Sequence, residues 1–351
     1  MPSRPMRPIQ AEDLYRLQLL NEVRLSPDGL HAVYTVQRVD QKTEKKYSNL
    51  WIVSTETGQA RSFTYGDQND SQPRWSPDGQ QIAFLSNRHN AKDKDKPAQI
   101  YLIPFAGGEA RPLSDIQGSI SNIQWSPDGK HLLCQVCKKD PEELEREKDE
   151  NKKKLGVVAR HYTRVFYKLD GQGYLPHERT HIWTVDARSG KARQLTDHAI
   201  SDELGATWSP DGKQIAFVSN RSPQPDFDLD AWDLFVMPAA MRQNSPLNEF
   251  RRIPTPPGGK SQPSFSPDGK WIAYYGDPIA DEGYRNTNLC VVPADGSAQP
   301  HNLTEKYDLN VSPWTINDLG TPESMPPTWS RDGKSIYFPV TIHGNSILKS
   351  I

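Results

Sequence analysis

The pentapeptide W-S-P-D-G occurs at Trp75–Gly79, Trp125–Gly129 and Trp208–Gly212. Near-copies read L-S-P-D-G at Leu25–Gly29, F-S-P-D-G at Phe265–Gly269 and W-S-R-D-G at Trp329–Gly333. Ser-Pro-Asp-Gly favours a tight turn, because Pro presets φ at the second position, Asp tolerates the third and Gly closes the turn. The first two intervals are 50 residues each, a period typical of propellers and solenoids. The repeat is therefore predicted to build a frame rather than to perform chemistry.

The same order of segments surrounds each copy. After the second copy, apolar runs follow at Gln81–Leu85, Ile100–Ile103 and Ala110–Ser114. With the strand that ends at the aromatic residue, each unit has the four short strands of a propeller blade. Because a blade is apolar on both faces, it must stack on its neighbours, and the aromatic residue is predicted to wedge between blades. The predicted structural positions are Trp75, Asp78, Gly79, Trp125, Asp128, Gly129, Trp208, Asp211, Gly212, Phe265, Asp268, Gly269, Trp329, Asp332 and Gly333.

The fold class predicted from these repeats is all-β, a β-propeller of four-stranded blades. The predicted blades span residues 21–64, 71–114, 121–196, 205–254, 261–304 and 326–351. A segment at 1–20 precedes them, and its Ala11–Leu20 favours a short amphipathic helix. The sixth blade lacks its final turn and strand, so we expect it to be incomplete and the sequence to be a fragment of a longer protein.

Composition and charge exclude several classes of protein. The formal net charge of -2 gives no reason to expect nucleic acid or an acidic membrane as partner. No stretch approaches the ~18 consecutive apolar residues of a membrane span, and M-P-S-R-P-M-R-P-I-Q lacks the apolar middle of a signal peptide. Three cysteines are too few for a disulfide framework. We therefore expect a cytoplasmic protein, and a homo-oligomer is compatible with the sequence.

The third unit is the longest, because it contains an insertion at residues 138–180. Lys138–Gly156 is highly charged and predicts one solvated helix that starts after Asp140 and stops at Gly156. The arginines and tyrosines of Val157–Thr180 could capture a carboxylate or a peptide end. The alternative is a loop hairpin with ordinary surface cations. The candidate substrate-binding residues are Arg160, Arg164, Tyr167, Tyr174 and Arg179.

Two further patterns are compatible with metal binding but are interpreted as structural. Asp226–Asp230 has the alternating acids of a calcium loop, yet it lacks Gly at the sixth position and Glu at the twelfth. Cys134 and Cys137 form a C-x-x-C within a strand-like run, where residues three apart face opposite sides. Zinc would need another pair of ligands. The sequence therefore predicts no metal and no cofactor.

No catalytic constellation is found in the sequence. None of the Gly-x-Ser triplets, at Gly259–Ser261, Gly333–Ser335 and Gly344–Ser346, continues to the G-x-S-x-G of an α/β-hydrolase. There is also no G-x-x-x-x-G-K and no H-E-x-x-H. No residue of this chain is therefore predicted to be catalytic.

The repeat W-S-P-D-G-x-x-I-A-F-x-S-N-R, at Trp75–Arg88 and Trp208–Arg221, resembles the N-terminal propeller of the prolyl oligopeptidase family. The branch most similar is the bacterial acylaminoacyl-peptidase and dipeptidyl-aminopeptidase group. The opening Ile9–Leu17 and the R-V-F-Y-K-L-D-G-Q-G-Y of Arg164–Tyr174 strengthen the resemblance. It covers essentially the whole chain.

The resemblance implies a seven-bladed propeller that caps a C-terminal α/β-hydrolase domain with a Ser-Asp-His triad. It implies further that the propeller restricts entry to short or unfolded peptides, which would be the partners of this chain through a hydrolase domain that it lacks. Two alternatives stay open. One is a standalone propeller similar to the Tol-system periplasmic protein, and the weaker one is a propeller uronate lyase, against which the nine scattered histidines argue.

Overall fold

The chain is an all-β protein, and its successive antiparallel sheets are the blades of a six-bladed β-propeller. The computed structural model describes residues 7–88, 97–170, 172–239, 249–276, 285–311 and 325–351. Five blades have four strands, and the sixth has three among the described residues. Within the same ranges, no helix combines the length and the apolar character that a membrane span requires. The predicted fold class is confirmed.

The chain divides into two compact units, of which the first is Met1–Asp115. A 3-10 helix at Ala11–Arg16 precedes blade 1 and buries none of its residues, so the predicted amphipathic helix is shorter than expected and ends before Leu19. Blade 1 consists of β1 (Leu19–Leu25), β2 (His31–Asp40), β3 (Lys45–Ser54) and β4 (Ala60–Ser62). Blade 2 consists of β5 (Asp70–Trp75), β6 (Gln81–Ser86), β7 (Gln99–Pro104) and β8 (Arg111–Pro112).

The second unit is Ile116–Ile351 and holds blades 3 to 6. Blade 3 consists of β9 (Gly118–Trp125), β10 (His131–Lys138), β13 (Thr180–Asp186) and β14 (Ala192–Gln194). Between β10 and β13 lies its insertion, which consists of α1 (Pro141–Lys148), α2 (Glu150–Leu155), β11 (Lys168–Leu169) and β12 (Gly173–Tyr174). Blade 4 consists of β15 (Glu203–Trp208), β16 (Gln214–Asn220), β17 (Trp232–Pro238) and β18 (Arg251–Ile253). Blade 5 consists of β19 (Lys260–Phe265), β20 (Trp271–Gly276), β21 (Asn288–Pro293) and β22 (His301–Asn302). Blade 6 consists of β23 (Thr328–Trp329), β24 (Ile336–Ile342) and β25 (Asn345–Ser350).

Each S-P-D-G copy forms the same side-chain-braced turn between the first two strands of its blade. In blade 4, Ser209 Oγ donates to Asp211 Oδ1 at 2.7 Å and accepts from the backbone N–H of Gln214 at 2.9 Å. Asp211 Oδ1 also accepts from the N–H of Lys213 at 3.0 Å. Gly212 has a φ of 69°, which an L side chain adopts only with strain. The other five copies repeat these bonds, so the motif is a frame, as predicted.

At four of the turns the aromatic residue before the turn packs between consecutive blades. Trp208 belongs to one buried cluster with Leu133 and Ile182 of blade 3 and with Phe217 and Phe235 of blade 4. The equivalent residues are Trp75 between blades 1 and 2, Phe265 between blades 4 and 5, and Trp329 between blades 5 and 6. At each of these four junctions the cluster combines side chains of two blades, as expected for a wedge. For Trp125 the wedge stays a prediction.

The first strand of each of blades 1 to 5 contains a β-bulge that the sequence pattern did not predict. At each bulge the pairing with the second strand shifts, and one residue has a positive φ. These residues are Glu22, Gln72, Asn122, Gly205 and Gln262. Four of them are not glycine, although a left-handed conformation costs an L residue about 1–2 kcal/mol. The bulge therefore follows from the blade geometry rather than from local propensity.

Acid is expected to weaken the fold through the turn aspartates. Bonding to the turn Ser lowers the pKa of all six, namely Asp28, Asp78, Asp128, Asp211, Asp268 and Asp332. A carboxyl group whose pKa is lower in the folded than in the unfolded state stabilises the fold at pH values above its unfolded pKa of about 3.9. This stabilisation is lost as the pH falls through the folded-state pKa. Thermal unfolding followed by circular dichroism should therefore show a smaller Tm drop from pH 7 to about pH 3 in Asp211→Asn than in the wild type. An equal drop would contradict this role for Asp211.

Truncating the wedge of blades 3 and 4 should be far costlier than reshaping it. Trp208→Ala opens a buried cavity and is expected to reduce the free energy of unfolding by about 3–5 kcal/mol. Trp208→Phe should cost about 1–2 kcal/mol, because Phe265 fills the same position one blade later and Trp208 Nε1 has no hydrogen-bond partner among the described residues. Urea unfolding of both variants measures the difference. Equal midpoints for the two would show that Trp208 is no wedge.

Candidate functional site

The insertion of blade 3 leaves β10 and returns at β13 through two short helices and a hairpin. The first helix begins after Asp140, as predicted, but the prediction of a single helix is wrong. The chain breaks at Asp149, whose Oδ1 accepts from the N–H groups of Asn151 and Lys152 at 2.9 and 3.1 Å and so caps α2. Neither helix has a buried residue, so both are solvated, as predicted.

Asp140 fastens the two ends of the insertion to each other. Its carboxylate makes no cap bond to α1 and instead accepts from the backbone N–H groups of His177 and Glu178, at 2.9 and 3.0 Å. Cys137 Sγ donates to the carbonyl of Glu178 at 3.4 Å beside them. The insertion is therefore a closed loop with a fixed base, and its outer part can present side chains without straining blade 3.

Three tyrosines and two cations form a partly exposed cluster on the insertion, here called the tyrosine cluster. The Tyr162 ring lies 4.5 Å from that of Tyr167 and is stacked 6.0 Å from that of Tyr174. The Arg160 guanidinium lies 4.0 Å from the centre of the Tyr174 ring, and the Lys168 ammonium lies 5.5 Å from it. Within the described ranges, neither cation forms an ion pair with an acid. The cluster therefore offers aromatic surface and positive charge together.

The other two candidate arginines converge on one acid of the next blade. Arg164 donates from Nε and Nη2 to the two oxygens of Asp226, both at 3.2 Å. Arg179 Nη1 lies 3.8 Å from Asp226 Oδ1 and donates to Asp202 Oδ2 at 3.4 Å. Burial raises the pKa of Asp226, but the bonds and charge of Arg164 outweigh it and hold this pKa below its usual value. The two arginines thus dock the insertion of blade 3 on the loop of blade 4 between β16 and β17.

The five candidate residues therefore fall into two groups. Arg160, Tyr167 and Tyr174 lie in the tyrosine cluster, whereas Arg164 and Arg179 are bound by acids of blade 4. Their role in substrate binding stays a prediction. Sequence reasoning missed Lys168 as a member of the cluster and Asp226 as the partner of both arginines. The alternating acids of Asp226–Asp230 were the available signal, because they place a carboxylate on the loop that faces the insertion.

A buried carboxylate also joins blades 3 and 4, and we call it the Glu203 clamp. Glu203 is 0% exposed, and its Oε2 bonds His181 Nδ1 at 2.7 Å and Thr196 Oγ1 at 2.8 Å. Its Oε1 accepts a short hydrogen bond from Arg221 Nη2. Because a buried charge needs partners on all sides, the clamp ties β13 and the end of β14 to blade 4.

Blades 1 and 2 carry an equivalent arrangement, the Asp70 clamp. Asp70 is also 0% exposed and accepts from Thr64 Oγ1 at 2.5 Å, Ser86 Oγ at 2.7 Å and Arg88 Nη2 at 2.5 Å. The arginine ends the S-N-R of the repeat in both cases, at Ser86–Arg88 and Ser219–Arg221. The S-N-R therefore has a physical role at these two junctions, which is to supply the cation for an acid on the adjacent strand.

The two metal-like patterns have structural partners. Asp226 forms an ion pair with Arg164, and Cys134 and Cys137 are free thiols. Burial raises the pKa of Cys134 to about 12, and burial together with Asp202 raises that of Cys137 to about 11. Both thiols are therefore protonated near neutral pH. The described part of the chain contains no group of three or more His, Cys, Asp or Glu side chains arranged to hold a metal.

Comparison with known proteins places the chain among propellers, and its sequence relatives are peptidases. Residues 21–159 match the TolB beta propeller domain. The chain is 30% identical over 230 residues to the uncharacterized peptidase YuxL of Bacillus subtilis, an alignment that covers 65% of this chain and 34% of that protein. It is 30% identical over 146 residues to dipeptidyl-peptidase 5 of Arthroderma otae, covering 40% of this chain and 18% of the other.

A solved structure supports the same assignment of the fold. The acylaminoacyl peptidase of Pyrococcus horikoshii superposes with a TM-score of 0.68 at 19% identity, over 96% of this chain and 45% of that one. The chain is therefore a β-propeller related to the propeller regions of peptidases, and the predicted resemblance is confirmed. The aligned part of the chain spans about a third of the length of the Bacillus subtilis peptidase.

Removing the shared acid should loosen the insertion from blade 4. In Asp226→Ala both arginines lose a charge-assisted partner, which is expected to lower the free energy of local opening by about 1–3 kcal/mol. Trypsin should then cleave at Arg160 or Arg164 at least about tenfold faster, because proteolysis follows the population of the open state. Asp228→Ala is the matched control, since the Asp228 side chain is exposed in the same loop. Equal cleavage rates in the two variants would contradict the docking role of Asp226.

Proposed function

We propose that this chain is the non-catalytic propeller part of a serine peptidase that cleaves short peptides, of the acylaminoacyl-peptidase or dipeptidyl-peptidase type, and that it gates access to the catalytic domain. The observation that carries the proposal is the 30% identity to a peptidase over 65% of the chain. The fold supports it, because a propeller similar to that of an acylaminoacyl peptidase is present over 96% of the chain. The chain itself contains no G-x-S-x-G.

The tyrosine cluster is the surface that suits a peptide end best. Arg160 has an aromatic neighbour and forms no ion pair with an acid of the described segments, so its charge is available to a ligand carboxylate. The Tyr162, Tyr167 and Tyr174 side chains are 37%, 44% and 49% exposed and provide flat apolar area beside that charge. Arg164 is less suited, because both of its donor atoms on one edge already face Asp226.

A second candidate function is that of a standalone binding or scaffold propeller. The match of residues 21–159 to the TolB beta propeller domain favours it. The two functions differ in what must accompany the propeller. The peptidase proposal requires a G-x-S-x-G in the ~250–300 residues encoded after Ile351, the size of an α/β domain. A coding region without such a segment would leave the binding propeller as the better account.

Nitroanilide substrates test whether the propeller lacks peptidase activity of its own and contributes to substrate binding in the full-length product. Residues Met1–Ile351 alone should not cleave acyl-peptide or dipeptide nitroanilides, whereas the full-length product should. In the full-length product, Arg160→Ala is expected to raise KM about tenfold with kcat unchanged, because a uniform binding contact is lost. Arg188→Ala, an exposed arginine in a turn of blade 3, is the control. Inhibitor-sensitive turnover by Met1–Ile351 would overturn the proposal, and an unchanged KM in Arg160→Ala would remove the tyrosine cluster from it.

A further inference from the structure

A cavity of about 570 Å³ lies between blades 4 and 5, beside the S-P-D-G turn of blade 5. Blade 4 contributes Gln214 and Arg251 to its lining, and blade 5 contributes Lys270, Ala294 and Asp295. The volume is within the range of about 300–1,000 Å³ that is typical of small-molecule sites. Because Arg251, Lys270 and Asp295 are exposed, the cavity is open to solvent and a ligand can enter it.

Between blades 1 and 2 the corresponding place holds an aromatic residue. Phe105 follows β7, and its backbone N–H donates at 2.8 Å to the carbonyl of Gln80, the residue after the S-P-D-G turn. The N–H of Ala294 donates at 2.8 Å to the carbonyl of Lys270, which has the same position in blade 5. Ala294 is therefore the counterpart of Phe105, and it offers a methyl group where blade 2 has a phenyl ring.

The facing wall of this place corresponds as well. The Phe105 ring meets the ring of His31 edge-on at 4.9 Å, and His31 is the first residue of β2. Gln214 is the first residue of β16 and lines the cavity. Between blades 3 and 4 the residue after the third strand is again small, Ala239, but Phe250 packs against the cluster there. The cavity between blades 4 and 5 thus corresponds to the space that the Phe105 ring fills between blades 1 and 2.

The charged groups of the cavity favour an anion. Arg251 Nη2 donates to a backbone carbonyl of blade 5 at 2.5 Å, and within the described ranges Arg251 forms no ion pair. Lys270 is a second cation, whose ammonium lies 3.8 Å from Asp268. The one acid of the lining, Asp295, accepts from the N–H of Ser297 at 2.9 Å. Hydrogen bonds from Ser297 chiefly lower the pKa of Asp295, and the charge of Arg251 contributes least. Arg251 is therefore available to a ligand carboxylate.

We propose that the cavity between Ala294, Gln214 and Arg251 binds a small aromatic carboxylate. The ligand ring fills the space that corresponds to the Phe105 ring, where it buries apolar area, and the carboxylate accepts from Arg251 Nη1. Trp271 also borders the cavity, but its side chain packs against the cluster between blades 5 and 6, so the ring comes from the ligand. A free aromatic acid and the aromatic C-terminal residue of a peptide both have this chemistry. The site does not depend on the proposed function.

The test is calorimetric titration of the chain with four probes: N-acetyl-phenylalanine, its amide, N-acetyl-alanine and N-acetyl-Ala-Ala-Phe. N-acetyl-phenylalanine is expected to bind. N-acetyl-alanine lacks the ring and should bind about 10- to 100-fold more weakly. The amide lacks the charge that Arg251 recognises and should bind about tenfold more weakly than the acid.

Three variants separate the cavity from unspecific binding. Ala294→Phe places a ring where blade 2 has Phe105, so it should abolish binding and leave the Tm at or above that of the wild type. Arg251→Met keeps a long apolar stem without the charge, and should weaken binding of the acid about tenfold with the amide unchanged. Arg61→Met is the matched control, because Arg61 has the same register in β4 as Arg251 has in β18. It should bind the acid as the wild type does.

The probes also distinguish the two sources of the ligand. Equal affinity for N-acetyl-phenylalanine and the tripeptide acid supports the site with a peptide C-terminus as the source, and binding of the single amino acid alone supports it with a free acid. No binding of either, equal affinity for N-acetyl-phenylalanine and N-acetyl-alanine, or wild-type affinity in Ala294→Phe overturns the site. If Ala294→Phe does not fold, wild-type affinity of Arg251→Met for the acid overturns it. Nitroanilide turnover by the full-length product tests the proposed function independently.

Discussion

The packing of one apolar sheet face against the next is the interaction on which the described structure depends. A four-stranded sheet of Val, Ile, Leu and Phe cannot leave either face in water, so each blade needs a neighbour. The aromatic residue at the end of the first strand belongs to the buried cluster at four of these junctions, as Trp208 does between blades 3 and 4. The S-P-D-G turn that follows sets the direction of the second strand and holds the aromatic residue in place.

Polar bonding is added at the ends of these junctions rather than in their centres. Asp70 and Glu203 are fully buried acids, and each joins two blades through a hydroxyl and an arginine. A buried ion pair contributes little net stability, but separating its partners leaves an unpaired buried charge and is strongly destabilising. We infer that the clamps select one relative position of the paired blades, which the non-directional apolar contact leaves less well defined. At blades 3 and 4 the same position also fixes the insertion, through Asp226.

Much of the frame could be predicted from sequence because its signals are local and repeated. The turn residues, the aromatic wedge and the apolar strands each follow from a short run of residues, and six copies remove the ambiguity of one. The bulges could not be predicted, because four of the five left-handed positions, such as Gln72 and Asn122, carry ordinary residues whose strain is imposed by the neighbouring strand. The break between α1 and α2 was missed for a related reason, since Asp149 acts through backbone bonds that a charge pattern does not reveal.

The candidate site was predictable only in part. The sequence pointed to the arginines and tyrosines of the insertion, but it could not show that Arg164 and Arg179 are bound to acids 62 and 23 residues away. Contacts between distant segments depend on blade stacking, which no local pattern encodes. The same limit applies to the cavity between blades 4 and 5, because Ala294 takes the place of Phe105 within the same backbone bonding.

Native-state hydrogen exchange of the chain tests most directly whether shared blade faces hold the fold. The account predicts that amides of β10, β13, β15 and β16 exchange together with a common, high free energy of opening. Amides of the insertion at residues 139–179 should exchange by local opening at much lower free energy. Independent exchange of blades 3 and 4, or an insertion as protected as the strands beside it, would contradict the account.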